Sequence, residues 1–207
     1  MFNRKESLSQ YIQYYPVISV LIGINLVIYV LGLVPSVHDN IFQFGVTFNY
    51  LISQGEYWRL VTGIFLHAGF LHLLFNMFAL YVFGPELERL AGKLRFFTIY
   101  MLSGIIANVL TFFVQPLNYT SVGASGAIFG VFGAYLALVY YTRKTMPQFK
   151  QLIIPIVAIS VAMTFIQPNI NVTAHLGGLA VGFILGLIQF HPKRIARWQQ
   201  DKNRRNY

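Results

Sequence analysis

The stretch TAHLGGLAVGFILG, residues 173–186, carries one histidine and a regular series of glycines in an otherwise apolar segment. Gly178, Gly182 and Gly186 follow His175 by three, seven and eleven residues. In a helix this spacing forms one smooth stripe on the face of His175. Small residues four apart let membrane helices approach closely, so the stretch predicts a helix packed tightly against a partner.

The predicted partner contains the stretch GASGAIFG, residues 123–130. Beside Ser125 runs a matching stripe of small residues, again spaced by four, made of Gly126, Gly130 and Ala134. We expect the two stripes to face each other, which would bring Ser125 and His175 within hydrogen-bond distance. Most serines in membrane helices bond to their own backbone or pack at an interface, so this motif alone does not assign a function.

The composition indicates an all-α, polytopic membrane protein. Of 207 residues, 56% are hydrophobic and 10% are charged, and the mean hydropathy is +0.59. Soluble domains contain about a quarter charged residues. A membrane-spanning helix needs about 20 apolar residues, and we predict six such segments: Pro16–Leu33, Gly69–Phe83, Leu94–Val114, Gly126–Tyr141, Leu152–Phe165 and Ala174–Phe190. The second and fifth are short, and we expect them to borrow length from flanking residues such as Leu60–Leu66 or to lie in thinned bilayer.

Basic residues predict the orientation in the membrane. They cluster in alternate loops, at Arg4, Lys5, Arg89, Lys93, Arg95, Arg143, Lys144, Lys150 and between Lys193 and Arg205, whereas Arg59 lies on the other side. The positive-inside rule then makes both termini cytoplasmic and turns the loops at about 34–66, 115–124 and 166–173 outward. The predicted organisation is a short cytoplasmic segment (1–15), a six-helix transmembrane core (16–190) and a basic cytoplasmic tail (191–207).

The net charge of +9 is explained by the excess of basic residues in the predicted cytoplasmic loops, which face a leaflet of anionic lipids. It therefore does not indicate nucleic acid as a partner. The C-terminal run is best interpreted as a solvated, orienting tail, with a lipid- or partner-binding role as the alternative. The first apolar segment lacks a cleavage site and is expected to act as a signal anchor. The absence of cysteine excludes disulfides and thiol catalysis.

Few polar side chains fall within the predicted spans, where such groups are costly and therefore candidates for function. They are His72, Asn76, Ser125 and His175, with His67 just before the second span. Segments two, four and six run in the same direction, so these residues should lie at similar depth. His67 and His72 are five apart without the acid of a helical zinc motif, and we predict neither metal nor cofactor.

Together these groups can perform serine-protease chemistry. His175 can serve as the base for Ser125, and His72, Asn76 and the Ser125 backbone N–H can donate to an oxyanion. The six acids all lie outside segments four to six, so we predict a Ser125–His175 dyad in which Phe129 supports the imidazole ring by stacking. Gly123, Gly126, His67, Gly178 and Gly182 are the predicted supporting residues.

The chain resembles the rhomboid intramembrane serine proteases over nearly its whole length. The resemblance is carried, in order, by Trp58–Arg59, by His67 with HLLFN, by GxxxE at Gly84 to Glu88, by GASG and by AHLGGLAVG. It implies the same dyad and oxyanion donors, a structural Trp58–Arg59, and a Glu88 that holds the cytoplasmic helix ends. It also implies an outer loop partly within the membrane. Phe129 stands where well-known members often have tyrosine, which keeps ring stacking without the hydroxyl.

The resemblance further implies single-span membrane proteins as substrates, cut near the outer end of the span after a small residue. Membrane lipids are the other expected partners, and the oligomeric state is left open. We expect a polar cavity open outward, with segment five and the loop near Val114–Val122 as mobile elements. The absence of a transit peptide favours a bacterial plasma membrane. An inactive rhomboid-like scaffold and a transporter are the alternatives, but the first characteristically loses the serine or histidine and the second favours midplane polar sites.

Overall fold

The computed structural model describes residues 6–144 and 147–193, and within them the chain is almost entirely helical. The basic residues Arg4 and Lys5, and the predicted tail beyond Lys193, lie outside the described residues. The helices are α1 (Leu8–Tyr14), α2 (Pro16–Leu31), α3 (Pro35–Gly45), α4 (Asn49–Ser53), α5 (Arg59–Thr62), α6 (Phe70–Ala91), α7 (Lys93–Val114), α8 (Ser125–Thr142), α9 (Pro147–Ile166) and α10 (Val172–Gln189). A 3₁₀ turn covers Gly63–Phe65, and two short strands, β1 (Thr47–Phe48) and β2 (Thr120–Ser121), pair antiparallel.

The described helices confirm a multi-pass membrane protein. Five of them, α6 to α10, are long and apolar enough to cross a bilayer. A sixth span forms if α1 and α2 are taken together, although they meet at a bend of 114°. Alone, α2 has 16 residues, which gives a length of about 24 Å.

The second span is lengthened at the opposite end from the one predicted. The backbone is extended at Gly69, and residues 60–65 lie in the separate short helix α5 and the 3₁₀ turn, with Leu66 extended just after them. Instead, α6 continues through Pro85 to Ala91. A proline frees the carbonyl four residues earlier, and here that carbonyl, on Tyr81, accepts a long hydrogen bond of 3.5 Å from the Tyr11 hydroxyl.

The loop between α2 and α6 is held together by Arg59. Its buried guanidinium donates to the backbone oxygens of Gln43 and Val46, at 2.8 and 3.0 Å, and to the Glu56 carboxylate at 2.7 Å. The neighbouring Trp58 indole donates to a backbone carbonyl of α3. Trp58 and Arg59 are therefore structural residues of this loop.

Two contacts tie the loop before α8 to this first loop. In the β1–β2 pair, Thr47 lies opposite Ser121. Two residues further on, the Gly123 N–H donates to the Gly63 carbonyl at 2.9 Å. The start of α8 is consequently fixed by a segment that lies 60 to 74 positions earlier in the chain.

The tightest helix pair is α8 with α10, and its contact is made by glycine. A Cβ added to Gly178 would overlap the Gly126 carbonyl, and one added to Gly182 would overlap the Gly130 carbonyl. A Cβ added to Gly186 would lie 2.7 Å from the Ala137 Cβ and 2.9 Å from the Ala134 Cα. The predicted facing of the two stripes is confirmed.

Glu88 joins the end of α6 to the beginning of α2. Its carboxylate accepts hydrogen bonds from the backbone N–H groups of Val17 and Ile18, at 3.1 and 2.9 Å, and the residue is only 2% exposed. These N–H groups belong to the first turn of α2, where no intrahelical partner exists. Glu88 thus caps one helix from the end of another.

Replacing Glu88 with alanine should lower the free energy of unfolding by about 1–3 kcal/mol, because two buried donors lose their acceptor. Glu88→Gln keeps one acceptor oxygen and should lose less. Unfolding of the purified variants by denaturant, in detergent, would measure both. Equal stability of Glu88→Ala and the parent protein would contradict the capping role.

Candidate active site

The predicted catalytic residues and side-chain oxyanion donors line one cavity, whereas His67 lines a separate one. Ser125 is the first residue of α8, His72 and Asn76 lie in the first two turns of α6, and His175 lies in the first turn of α10. All four border a cavity of about 690 Å³. Three helices that begin at the same end of the bundle thus bring together residues separated by up to about a hundred positions in sequence.

The sequence predicts a polar cavity, but the lining of the observed cavity is only partly polar. Aromatic side chains of α6, among them Phe75 and Phe78, and apolar side chains of α9, among them Ile159, form part of its lining. The segment between α9 and α10 adds the polar residues Gln167, Asn169 and Asn171. The lining therefore offers both apolar surface and hydrogen-bonding groups.

His175 is held from two sides. Its ring stacks on Phe129, with centroids 4.1 Å apart and planes inclined by 18°, so the predicted ring contact is present. Its Nδ1 lies 2.9 Å from the hydroxyl oxygen of Thr164 on α9. The sequence did not single out Thr164, because a threonine near the end of an apolar helix carries no signal of its own.

No hydrogen bond joins Ser125 to His175 in the described part of the chain, although both border the cavity. Catalytic hydrogen bonds are often long before substrate binds and tighten in the complex. The Ser125 backbone N–H lies in the first turn of α8, among the N–H groups that have no partner within the helix.

His72 rests against Gly123. A Cβ at Gly123 would lie 2.7 Å from the His72 Cε1 and 2.8 Å from its Nε2. The φ of Gly123 is +129°, in a region that L side chains rarely adopt. Both the close approach and the backbone conformation therefore require glycine here.

Gly123→Ala should strain the backbone and push the His72 ring away from its position. We expect the substitution to cost about 1–3 kcal/mol of stability and to lower kcat more than it raises KM. Kinetics of the proteolysis expected from the sequence, together with thermal melting in detergent, would measure the two effects. The control is Gly55→Ala. Gly55 also has an unusual φ, +100°, but an added Cβ there has nothing within 4 Å, so this variant should lose stability without a change in kcat. An unchanged kcat in Gly123→Ala would contradict a functional His72 position.

Asn76 and His67 complete the surroundings of His72. The Asn76 side-chain amide donates to the His72 carbonyl at 2.9 Å, which leaves its second amide proton for other partners. The His67 and His72 rings meet edge to face, 5.0 Å apart. Burial, reinforced by the nearby His72, lowers the pKa of His67 to about 3, so this ring is uncharged at neutral pH.

Asn171 fixes the turn that carries His175. Its side-chain oxygen accepts from the Ala174 N–H at 2.9 Å, and its amide donates to the Thr111 hydroxyl at 3.0 Å. An asparagine before an apolar helix is a typical N-cap signal, so its role could have been predicted from sequence. Among residues 6–144 and 147–193, no three His, Cys, Asp or Glu side chains are grouped to hold a metal ion.

The site lies within a region that matches a known domain. A family model described as a Rhomboid domain matches residues 54–192. The chain is 43% identical over 190 residues to a protein named putative rhomboid protease YdcA of Bacillus subtilis, covering 91% of this chain and 96% of that protein. It is 41% identical over 156 residues to Rhomboid protease GluP of the same organism, covering 75% of this chain and 30% of that protein.

A plant relative shows a similar level of likeness. The mitochondrial RHOMBOID-like protein 6 of Arabidopsis thaliana is 36% identical over 163 residues, which cover 76% of this chain and 51% of that protein. The chain thus spans nearly all of the first relative, less than a third of GluP and about half of the plant protein.

Proposed function

The chain belongs to the rhomboid family and is an intramembrane serine protease, and we propose that Ser125 is its nucleophile and His175 its general base. The observation that carries this assignment is that both residues border one cavity on helices whose backbones touch. The stacked Phe129 supports it further, because it holds the imidazole ring at a fixed inclination.

In the proposed reaction, the Ser125 oxygen attacks the carbonyl carbon of the scissile bond while its proton passes to His175 Nε2. The electron pair of the carbonyl moves to oxygen, and the resulting oxyanion accepts hydrogen bonds from His72, Asn76 and the Ser125 N–H. As the tetrahedral intermediate collapses, the C–N bond breaks and the leaving amine takes the proton from His175. Water then hydrolyses the ester by the same steps and restores Ser125.

The proposed dyad works without a carboxylate partner. Of the acids in the described residues, Glu6, Asp39, Glu56, Glu86 and Glu88, none borders the cavity, and Asp201 lies outside those residues. Glu86 and Glu88 are the acids nearest in sequence to Asn76, and both are buried away from the cavity. The carboxylate of Glu88 caps α2. Orientation of His175 must therefore come from uncharged neighbours.

We propose that the substrates are single-span membrane proteins, cut near the outer end of their span. A helix bonds its carbonyls internally, so the substrate must unwind locally before Ser125 can attack. The mixed lining of the cavity suits an unwound segment, because polar residues between α9 and α10 can bond to freed backbone groups. Cytoplasmic termini belong to the same proposal and rest on the distribution of basic residues. Residence in a bacterial plasma membrane is also part of it, and the similarity to two Bacillus subtilis proteins supports that location.

Reconstitution of the purified protein in liposomes with a single-span reporter protein would test this function. We expect a defined cleavage product, together with covalent labelling of Ser125 by a fluorophosphonate probe, mapped by mass spectrometry. Ser121, in the neighbouring strand β2, should remain unlabelled. Absence of cleavage with several reporters, or labelling at a different serine, would overturn the assignment.

A further inference from the structure

Thr164 forms the one side-chain hydrogen bond that His175 makes in the described part of the chain. The Thr164 hydroxyl oxygen and the His175 Nδ1 are 2.9 Å apart, and the two residues are 2% and 7% exposed. Thr164 lies in the last turn of α9, on a different helix from both proposed catalytic residues. The contact therefore links α9 directly to the imidazole.

The direction of this bond follows from the second partner of Thr164. A hydroxyl has a single proton to donate, and that of Thr164 is donated to the Ser160 carbonyl at 3.0 Å. With that proton directed at Ser160, the Thr164 oxygen accepts toward His175, an arrangement in which the neutral ring carries its proton on Nδ1. The lone pair is left on Nε2, the nitrogen that must take the proton of Ser125.

We propose that Thr164 is a positioning residue, which fixes the tautomer and the inclination of His175 by accepting a hydrogen bond from Nδ1. The proposal rests on the proposed function of His175 as general base. In Ser-His-Asp proteases, a carboxylate holds the ring in the tautomer needed for catalysis. Here a neutral hydroxyl takes over that role, which avoids the cost of burying a negative charge.

The identity of the helix gives this bond a further consequence. Among the five described helices long enough to span the membrane, α9 is the least buried against the rest of the protein. It also borders the cavity, through Ile159 and Met163 among others. A substrate that displaced the end of α9 would break the Thr164 bond, so that end must be in place when Ser125 is activated.

Two substitutions at one position test the hydroxyl. Thr164→Val has nearly the same shape without the hydroxyl, and we expect kcat to fall roughly tenfold at unchanged KM, the size of effect typical for loss of one buried hydrogen bond. Thr164→Ser keeps the hydroxyl and should restore most of kcat. The matched control is Thr98→Val, since Thr98 bonds back to the Leu94 carbonyl in α7 but has no histidine partner.

A spectroscopic measurement tests the tautomer independently of cleavage. Two-bond proton–nitrogen correlation spectra of isotope-labelled histidine, with His175→Ala to assign the signals, should show wild-type His175 protonated at Nδ1. Thr164→Val should populate the Nε2-protonated form. Protonation at Nε2 in the wild type, or a kcat of Thr164→Val within twofold of wild type, would overturn the proposal. Cleavage that persists in Ser125→Ala would instead refute the proposed function. The histidine spectra do not require cleavage, so the two failures can be told apart.

Discussion

Ser125→Ala and His175→Ala are each expected to lower the cleavage rate by about 10⁴-fold or more, and the double variant should fall no further than the worse of the two. The two side chains act as a unit, since Ser125 without a base is a weak nucleophile and His175 without Ser125 has no proton to accept. Residual cleavage would come from substrate binding and oxyanion donors. Single-turnover kinetics in liposomes, with the melting temperature as a check of folding, would measure these rates.

The matched control is Ser121→Ala. Ser121 lies four residues before the proposed nucleophile, takes part in the β1–β2 pair through its backbone, and does not border the cavity. Its replacement should leave the rate unchanged. Losses that add up in the Ser125 and His175 double variant would show that the two residues act independently, which would contradict the dyad.

Gly182→Ala is expected to disrupt the bundle at its centre. The added methyl group overlaps the Gly130 carbonyl, so α8 and α10 must move apart. Overpacking of this kind costs typically about 1–3 kcal/mol, and a displacement near 1 Å can cost about 100-fold in rate. We therefore expect both a lower melting temperature and a large loss of cleavage, measured on the same purified sample.

Gly23→Ala serves as the control for Gly182→Ala. Gly23 also lies inside an apolar helix, α2, but an added Cβ there has nothing within 4 Å. Alanine is the better helix former by up to about 1 kcal/mol, so this variant should be at least as stable as the parent and fully active. Equal behaviour of the two glycine variants would contradict the close approach of α8 and α10.

The sequence predicted this helix pair well because its information is local and periodic. Glycines four apart define a helix face without any knowledge of the fold, and the sequence places such stripes in both α8 and α10. The Phe129 contact with His175 could be predicted for the same reason, since one helical turn separates Phe129 from Ser125.

The features that sequence missed depend on how separate elements are placed. Thr164 reaches His175 only because of the tilt and rotation of α9, which are set by packing against its neighbours. The Tyr81 carbonyl that Pro85 frees meets the hydroxyl of Tyr11, seventy positions earlier in the chain. No local sequence pattern encodes the contact of Thr164 with His175 or that of Tyr11 with Tyr81.

The contact between α8 and α10 has only glycines and the methyl groups of alanines such as Ala137 and Ala174 along its line of approach. An interface of this kind has no rotamers to rearrange, so the pair can tilt in a thicker or thinner bilayer only as one body. Changes in lipid thickness should then leave the spacing of Ser125 and His175 untouched. Such changes should instead be felt by α9, the least buried of the five helices.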